Sequence, residues 1–291
     1  MAVSPRLLRR RLRSVKSTGK IMKAMELVAA SKMRRSVQLV MSGRPYAETI
    51  TKLVERMLRM SGAALNHPLL KVVGAPELTP KRIAVLVFAS DRGLCGAFNT
   101  QIGRAALEFL RSHPADDCSV ITAGSKVERM IRSAGFRIQA AFPAFSHRPS
   151  MEQLHPLFQY VRSIFLKGEV DQVHMVYTHF KTALVQQIRV EPLLPIEVKA
   201  SALESCDELV EPSPEGVFNS LLPRLVDAHV YQAALDSAAA EHSARMLAMR
   251  SASDAAKDMS EGLTLSLNQA RQAAITREIC EISAGKAALT A

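Results

Sequence analysis

The stretch KSTGKIMKAMELVAASKMRR, from Lys16 to Arg35, carries six basic residues and one acid, yet an apolar stripe runs through it. Mostly apolar or small residues recur here at alternating steps of four and three, which is the spacing of a coiled-coil seam. The seam positions are Leu8, Leu12, Val15, Gly19, Met22, Glu26, Ala29, Met33, Ser36 and Val40. A second apolar row, Ile21, Met25 and Val28, lies beside them. The stretch predicts a basic helix that packs along another helix.

The other end of the chain shows the same spacing. Its seam positions are His242, Met246, Met249, Ser253, Ala256, Ser260, Leu263, Leu267, Ala270 and Ala274. Helices are therefore predicted over about residues 5–61 and 214–284, and at about 1.5 Å per residue they would span roughly 85 Å and 105 Å. Neither length fits inside a globule of this mass, so the two helices are predicted to run past a globular part. They pair antiparallel if both leave the same side of that part.

Serine and proline mark where these helices begin. Ser4-Pro5 and Ser213-Pro214 each place a capping serine before a proline at the first helical position. Pro45 lies inside the first predicted helix, where it should bend the helix rather than end it.

The middle of the chain, about 76–212, changes character. Four segments look like buried strands: RIAVLVFAS (82–90), CSVITA (118–123), FRIQAAF (136–142) and VHMVYT (173–178). The segments between them, 99–112, 125–134 and 150–167, look like amphipathic helices. This alternation predicts a mostly parallel α/β sheet. Residues 183–195 are expected to add an edge strand that Pro192 and Pro195 end.

The net charge of +11 belongs to one segment of the chain. Residues 1–44 contain twelve Lys or Arg against Glu26 alone, and the remainder is balanced. A basic segment of this kind indicates an acidic partner, which could be nucleic acid, an anionic membrane or acidic protein loops. The four cysteines lie far apart without a CxxC pair, so the sequence predicts neither disulfides nor a zinc site and favours a reducing compartment.

The sequence shows no recognisable reactive constellation. The loop SDRGLCGAFN (90–99) follows a predicted strand, but it is neither GxGxxG nor GxxxxGK[ST], and a tight strand-to-helix turn is the expected structure. GxSxG and HExxH are also absent from the sequence. The chain is therefore expected to be a binding or mechanical part without catalytic residues, cofactor or metal.

Several segments resemble the gamma subunit of F-type ATP synthases, in order and over nearly the whole chain. These are KSTGKIMKAMELVAASKMRR, RPYAET (44–49), SDRGLCGAFNT (90–100), HVYQAAL (229–235), EHSARMLAMRSASDAAKDM (241–259) and LNQARQAAITREICEI (267–282). Gly19 departs from the family pattern, which more often has Gln there.

The resemblance implies a fold and a role. The expected fold is α/β plus long helices: an antiparallel coiled coil of the terminal helices (1–75 and 214–291) with an inserted Rossmann-like α/β domain (76–213). The role implied is the rotor of the central stalk, which couples ion flow through the membrane ring to ATP synthesis or hydrolysis in the beta subunits. The expected partners are the alpha, beta and epsilon subunits and the ring of c subunits, with one copy per complex. The expected location is the cytoplasmic face of a bacterial inner membrane, to which the chain is bound peripherally. Nucleic acid is not expected as a partner.

The resemblance also implies two sets of contact residues. Contacts with the beta subunits are carried over to Met25, Lys32, Arg245, Arg271, Gln272 and Thr276. Contacts with the ring and epsilon are expected at Glu204, Glu208 and Glu211, in the acidic segment before the final helix. Two other functions remain open at this point: a nucleic-acid-binding protein that uses the basic helix, and a nucleotide-dependent enzyme built on the α/β domain.

Overall fold

The computed structural model describes residues 4–61, 67–72, 82–114, 117–145, 149–198, 211 and 213–290. The chain divides into two compact units. Residues 1–28 and 246–291 form the helical unit, and residues 29–245 form the α/β unit. This division follows contacts between residues, and the domain boundaries expected from the sequence stay a prediction.

Two long helices occupy the ends of the chain. Helix α1 spans Pro5–Ser61 and helix α5 spans Pro214–Thr290. The first helix matches its prediction, while the second runs beyond the expected end at residue 284. Pro45 and Pro223 lie inside these helices without ending them.

The two serines at the helix starts act in different ways. Ser213 Oγ accepts a hydrogen bond from the Gly216 N–H at 3.1 Å, which is the predicted capping bond. Ser4 uses its backbone carbonyl, which accepts from the N–H groups of Leu7 and Leu8. Both starts therefore supply an acceptor to N–H groups that have no partner inside the helix.

The strands and shorter helices lie between these two helices in sequence. The strands are β1 (Leu70–Val72), β2 (Ile83–Phe88), β3 (Cys118–Ala123), β4 (Arg137–Phe142), β5 (Gln172–Phe180), β6 (Gln186–Leu194) and β7 (Ile196–Val198). The helices are α2 (Phe98–Arg111), α3 (Glu128–Ser133) and α4 (Met151–Leu166), and a 3₁₀ turn, Ser125–Val127, leads into α3. The strands and helices predicted for the middle of the chain are thereby confirmed.

The main sheet has the order β4-β3-β2-β5-β6. Its first four strands pair in parallel, and β6 adds an antiparallel edge. Strands β1 and β7 pair separately. The prediction that Pro192 ends the edge strand is wrong, because β6 continues to Leu194. Pro192 lies opposite His174, beside a register shift at an edge, where a residue without an N–H is tolerated.

Helices cover both faces of the sheet. On β2, Ile83, Val85 and Val87 pack with residues of α2 and α3, while alternate residues pack with α4 and with parts of α1 and α5. This alternation follows from the two-residue period of a strand. The result is a parallel sheet buried on both faces, as α/β folds require.

Within the α/β unit, α1 and α5 run antiparallel. Gly43 of α1 lies against Leu235 of α5. Further along α1, Thr51 Oγ1 lies 3.2 Å from the Nε2 of His229. Residue numbers thus rise along one helix as they fall along the other, which confirms the predicted direction for this unit.

A half-buried histidine, His174, gives the fold a dependence on pH. The His174 ring packs on Phe109, with 4.7 Å between ring centroids. Burial, and secondarily His113, lowers the pKa of His174 to about 4 from the 6.5 of an unperturbed histidine. As the pH falls from 6.5 towards 4, the unfolded chain binds a proton that the folded chain excludes, so folding stability decreases through this window.

We expect His174→Gln to reduce the loss of folding stability at low pH. The thermal unfolding midpoint of the purified variant should fall less between pH 7 and pH 4 than that of the wild-type chain. His155→Gln, at an exposed histidine of α4, is the matched control for removing a histidine. Equal slopes for His174→Gln and the wild-type chain would contradict the assignment.

Candidate functional site

The helical unit contains the predicted seam. On α1, Leu8 is buried, and the seam positions from Leu12 to Glu26 are half-buried. On α5, Met249 is buried, and the seam positions Met246, Ser253, Ala256, Ser260, Leu263, Leu267 and Ala270 are half-buried. A Cβ on Gly19 would lie 3.2 Å from the Cβ of Ala256, so the two backbones approach closely there. Small residues make this approach possible.

One part of the seam prediction is wrong. Ala274 is exposed, because the burial of α5 stops before this position. In the second apolar row only Met25 is half-buried, whereas Ile21 and Val28 are 55% and 56% exposed. Ile21 and Val28 therefore face outward on α1.

The last part of α5 is exposed on all sides. Every side chain from Arg271 to Lys286 is exposed. Ile275, Ile279 and Ile282 among them are 49%, 58% and 67% exposed, and their spacing of four and three puts them on one stripe. A helix that exposes a continuous apolar stripe indicates a partner surface. The predicted contact residues Arg271, Gln272 and Thr276 lie in this stretch.

A basic face runs along the beginning of α1. Arg9, Arg13, Lys16 and Lys20 line one shallow groove together with Leu12 and Ser17. In the seam beside this face, Glu26 is paired with Lys23 at 2.9 Å, which accounts for an acid at a seam position. The positive charge expected from the sequence therefore lies on an accessible helix surface.

The other two predicted contact residues, Lys32 and Arg245, belong to the α/β unit. Arg245 lies beside the buried carboxylate of Glu241, and the charge of Lys32 acts on the same carboxylate. The Nη2 of Arg245 is 2.7 Å from Glu241 Oε1 and donates to the carbonyl of Gly93 at 3.4 Å. Arg245 is thus bound by its own chain.

Gly93 belongs to the loop Asp91–Ala97, which joins β2 to α2 and is the tight turn that the sequence predicted. Leu94 and Gly96 adopt positive φ angles of 64° and 57°. Just before the loop, Ser90 N–H donates to Asn99 Oδ1 at 3.1 Å, which ties the loop's base to α2.

Sequence reasoning missed the buried polar residues of α5. Asp236 is 2.9 Å from the Nδ1 of His179, and Ser243 Oγ donates to the carbonyl of Ala183 at 2.7 Å. Ser237 and Glu241 are buried on α5 as well. The available signal was the segment ALDSAAAEHSAR, in which charged residues interrupt a run of small apolar ones.

Comparisons with known proteins agree with this architecture. A family model described as ATP synthase matches residues 4–289. An ATP synthase gamma chain from Herpetosiphon aurantiacus is 41% identical, over 98% of this chain and 99% of its own length. One from Pelotomaculum thermopropionicum is 40% identical over the same shares. The chain belongs to the ATP synthase gamma-chain family.

Solved structures show that the gamma-chain fold is retained at low sequence identity. The rotor of the Euglena gracilis mitochondrial ATP synthase gives a TM-score of 0.65 at 16% identity, over 93% of this chain and 98% of that chain. The central stalk from Tetrahymena thermophila gives 0.62 at 24% identity, over 80% and 99%. The nucleic-acid-binding alternative gains no support from these gamma-chain relatives.

The acidic junction of this gamma-chain family member is described only in part. Glu211 is exposed, while Glu204 and Glu208 lie outside the described residues. In the described part of the chain, no group of three or more His, Cys, Asp or Glu side chains is placed so that it could hold a metal ion. In the same part of the chain, every helix is too short or too polar to cross a membrane.

Proposed function

We propose that the chain is the non-catalytic central-stalk rotor of an F-type ATP synthase. The observation that carries this proposal is the exposed stretch of α5 from Arg271 to Lys286, with its apolar stripe. Such a helix needs a surrounding partner, and a ring of alternating alpha and beta subunits is the partner proposed for it. The family relationship supports this assignment.

The proposed contacts with the beta subunits combine exposed residues of α5 with half-buried residues of α1. Arg271, Gln272 and Thr276 are exposed on α5, and Met25 and Lys32 are half-buried on α1. Exposed ion pairs are worth about 0–1 kcal/mol each, so a rotor can break and remake them as it turns. The apolar seam of the helical unit holds the two helices together so that torque is not lost between them.

The proposed base of the rotor is the acidic segment that contains Glu204, Glu208 and Glu211. There the chain would meet the epsilon subunit and the ring of c subunits, on the cytoplasmic side of a bacterial inner membrane. The exposed carboxylate of Glu211 supports an electrostatic contact of this kind.

Co-purification tests the proposed function. A tagged chain is expressed together with the alpha, beta and epsilon subunits and combined with membranes of the same organism. Its purification should recover all three subunits together with the ring. Recovery of nucleic acid in place of these subunits, at normal ionic strength, would overturn the assignment.

We expect Glu211→Lys to uncouple the complex in part. The substitution turns one attraction at the proposed base into a repulsion, and an exposed pair is worth about 0–1 kcal/mol. Ion pumping on membranes should fall while ATP hydrolysis by the head is retained. Glu215→Lys, a second exposed acid at the start of α5, is the matched control. Equal loss of pumping and hydrolysis with the head still assembled would contradict the base contact.

A further inference from the structure

Arg245 has its contacts inside its own chain. Its guanidinium is held between Glu241 on the preceding turn of α5 and the carbonyl of Gly93. Its side chain is 12% exposed and that of Glu241 is 4% exposed. Little of this side chain is left for a partner subunit, in contrast to Arg271.

We propose that Arg245 is a positioning residue that fastens the loop Asp91–Ala97 to helix α5, so that the sheet and the helix turn as one body. This role replaces the direct beta contact that the sequence resemblance implied for Arg245, and it rests on the proposed rotor function. A rotor must pass torque between its parts, and a loose joint at this place would absorb it.

The loop that Arg245 grips is itself fixed to the sheet. Asp91 Oδ1 accepts the backbone N–H of Ser125 at 2.9 Å, and Asp91 Oδ2 accepts that of Ala144 at 2.8 Å. Ser125 and Ala144 follow the carboxyl ends of β3 and β4. A displacement of the Gly93 carbonyl is therefore carried to two strands of the sheet.

Electrostatics make the pair of Arg245 and Glu241 mutually dependent. Burial raises the pKa of the Glu241 carboxyl, and the Arg245 guanidinium acts against that rise. Lys32 of α1 also lowers this pKa, and Asp91 at the start of the loop raises it. Removing one partner of a buried ion pair leaves the other without compensation, which is more costly than losing an exposed pair.

Arg245 is one of several polar attachments that join α5 to the rest of the α/β unit. Asp236 bonds to His179 of β5, and Ser243 bonds to the carbonyl of Ala183 in the turn before β6. Arg245 closes the series at the last residue of the α/β unit, from which α5 continues. The contact of Arg245 with the loop therefore lies at the end of the part of α5 that belongs to the α/β unit.

A double-mutant cycle separates this role from a direct beta contact. Arg245→Gln, Glu241→Gln and the double variant are each assembled into the complete complex, and ions pumped per ATP hydrolysed are measured on the same membranes. Arg224→Gln, at an exposed arginine of the same helix, is the control. Assembly is checked by recovery of the alpha and beta subunits with each variant.

Each single variant is expected to lower this ratio about fivefold and the double variant no further, because all three remove the ion pair between Arg245 and Glu241 that holds the guanidinium at the Gly93 carbonyl. A wild-type ratio for Glu241→Gln beside an impaired Arg245→Gln would overturn the proposal and favour a contact with beta. Absence of pumping with the wild-type chain, after correct assembly, would instead refute the rotor function itself.

A further variant covers the case in which Glu241→Gln does not assemble. Asp91→Asn weakens the attachment of the same loop to the sheet while leaving Arg245 and Glu241 in place. It should lower the pumping ratio in the same direction, and an unchanged ratio would overturn the proposal.

Discussion

Arg271→Ala is expected to reduce coupled ATP synthesis about tenfold while leaving nucleotide binding by the beta subunits intact. Arg271 is exposed at the start of the stretch of α5 that ends at Lys286. Its guanidinium is therefore available to acceptors on a surrounding subunit. Truncating an arginine at the centre of an interface commonly costs about 2 kcal/mol, and about 1.4 kcal/mol corresponds to a factor of ten in rate.

The control for this prediction is Arg277→Ala. Arg277 is an exposed arginine of the same stretch, and six residues along a helix place it on a different face from Arg271. Synthesis by reconstituted membranes and binding of a fluorescent nucleotide by the head would be measured for both variants. Equal rates of synthesis for Arg271→Ala, Arg277→Ala and the wild-type chain would remove Arg271 from the proposed contact surface.

Gly19→Leu is expected to disrupt the helical unit. A Cβ at residue 19 already comes within 3.2 Å of Ala256, and the remaining atoms of a leucine would force the helices apart. Overpacking of this kind costs about 1–3 kcal/mol or more. Because the seam holds the rotor helices together, both the thermal stability of the chain and the coupling of the assembled complex should fall.

Gly262 provides the matched substitution on the other helix. It is exposed, and a Cβ there meets no atom within 4 Å. Gly262→Leu should therefore stabilise the chain slightly, because glycine inside a helix costs about 1 kcal/mol relative to alanine and leucine is a good helix former. A drop in melting temperature for Gly262→Leu as large as that for Gly19→Leu would show that the close approach at Gly19 is not the cause.

The regular patterns of the sequence predicted most of the fold. The alternating steps of four and three located both helices and nearly all seam positions, because a helix that packs along one side must repeat its apolar residues at that period. Gly19 departs from the family pattern, which more often has Gln at this position. The structure gives glycine there a packing reason, since Ala256 lies opposite.

The sequence could not show which distant residues meet. Gly93 and Arg245 are separated by 152 positions, and their contact depends on how α5 lies on the sheet. Motif resemblance located Arg245 correctly in α5 but carried no information about its partners. The exposed row of Ile21 and Val28 escaped prediction for a similar reason, since periodicity does not say whether an apolar stripe is covered by its own chain or by another.

Rotation of the chain inside its complex tests the central claim most directly. A cysteine introduced at the exposed Arg129 of α3, in a chain with Cys206→Ser and Cys280→Ser, provides one site for a bead, since Cys95 and Cys118 are buried. The complex with alpha and beta subunits is fixed to a surface through beta, and ATP is added. We expect the bead to turn in one direction, at a rate that rises with ATP concentration. A bead that stays still while the complex hydrolyses ATP at its normal rate would contradict the account.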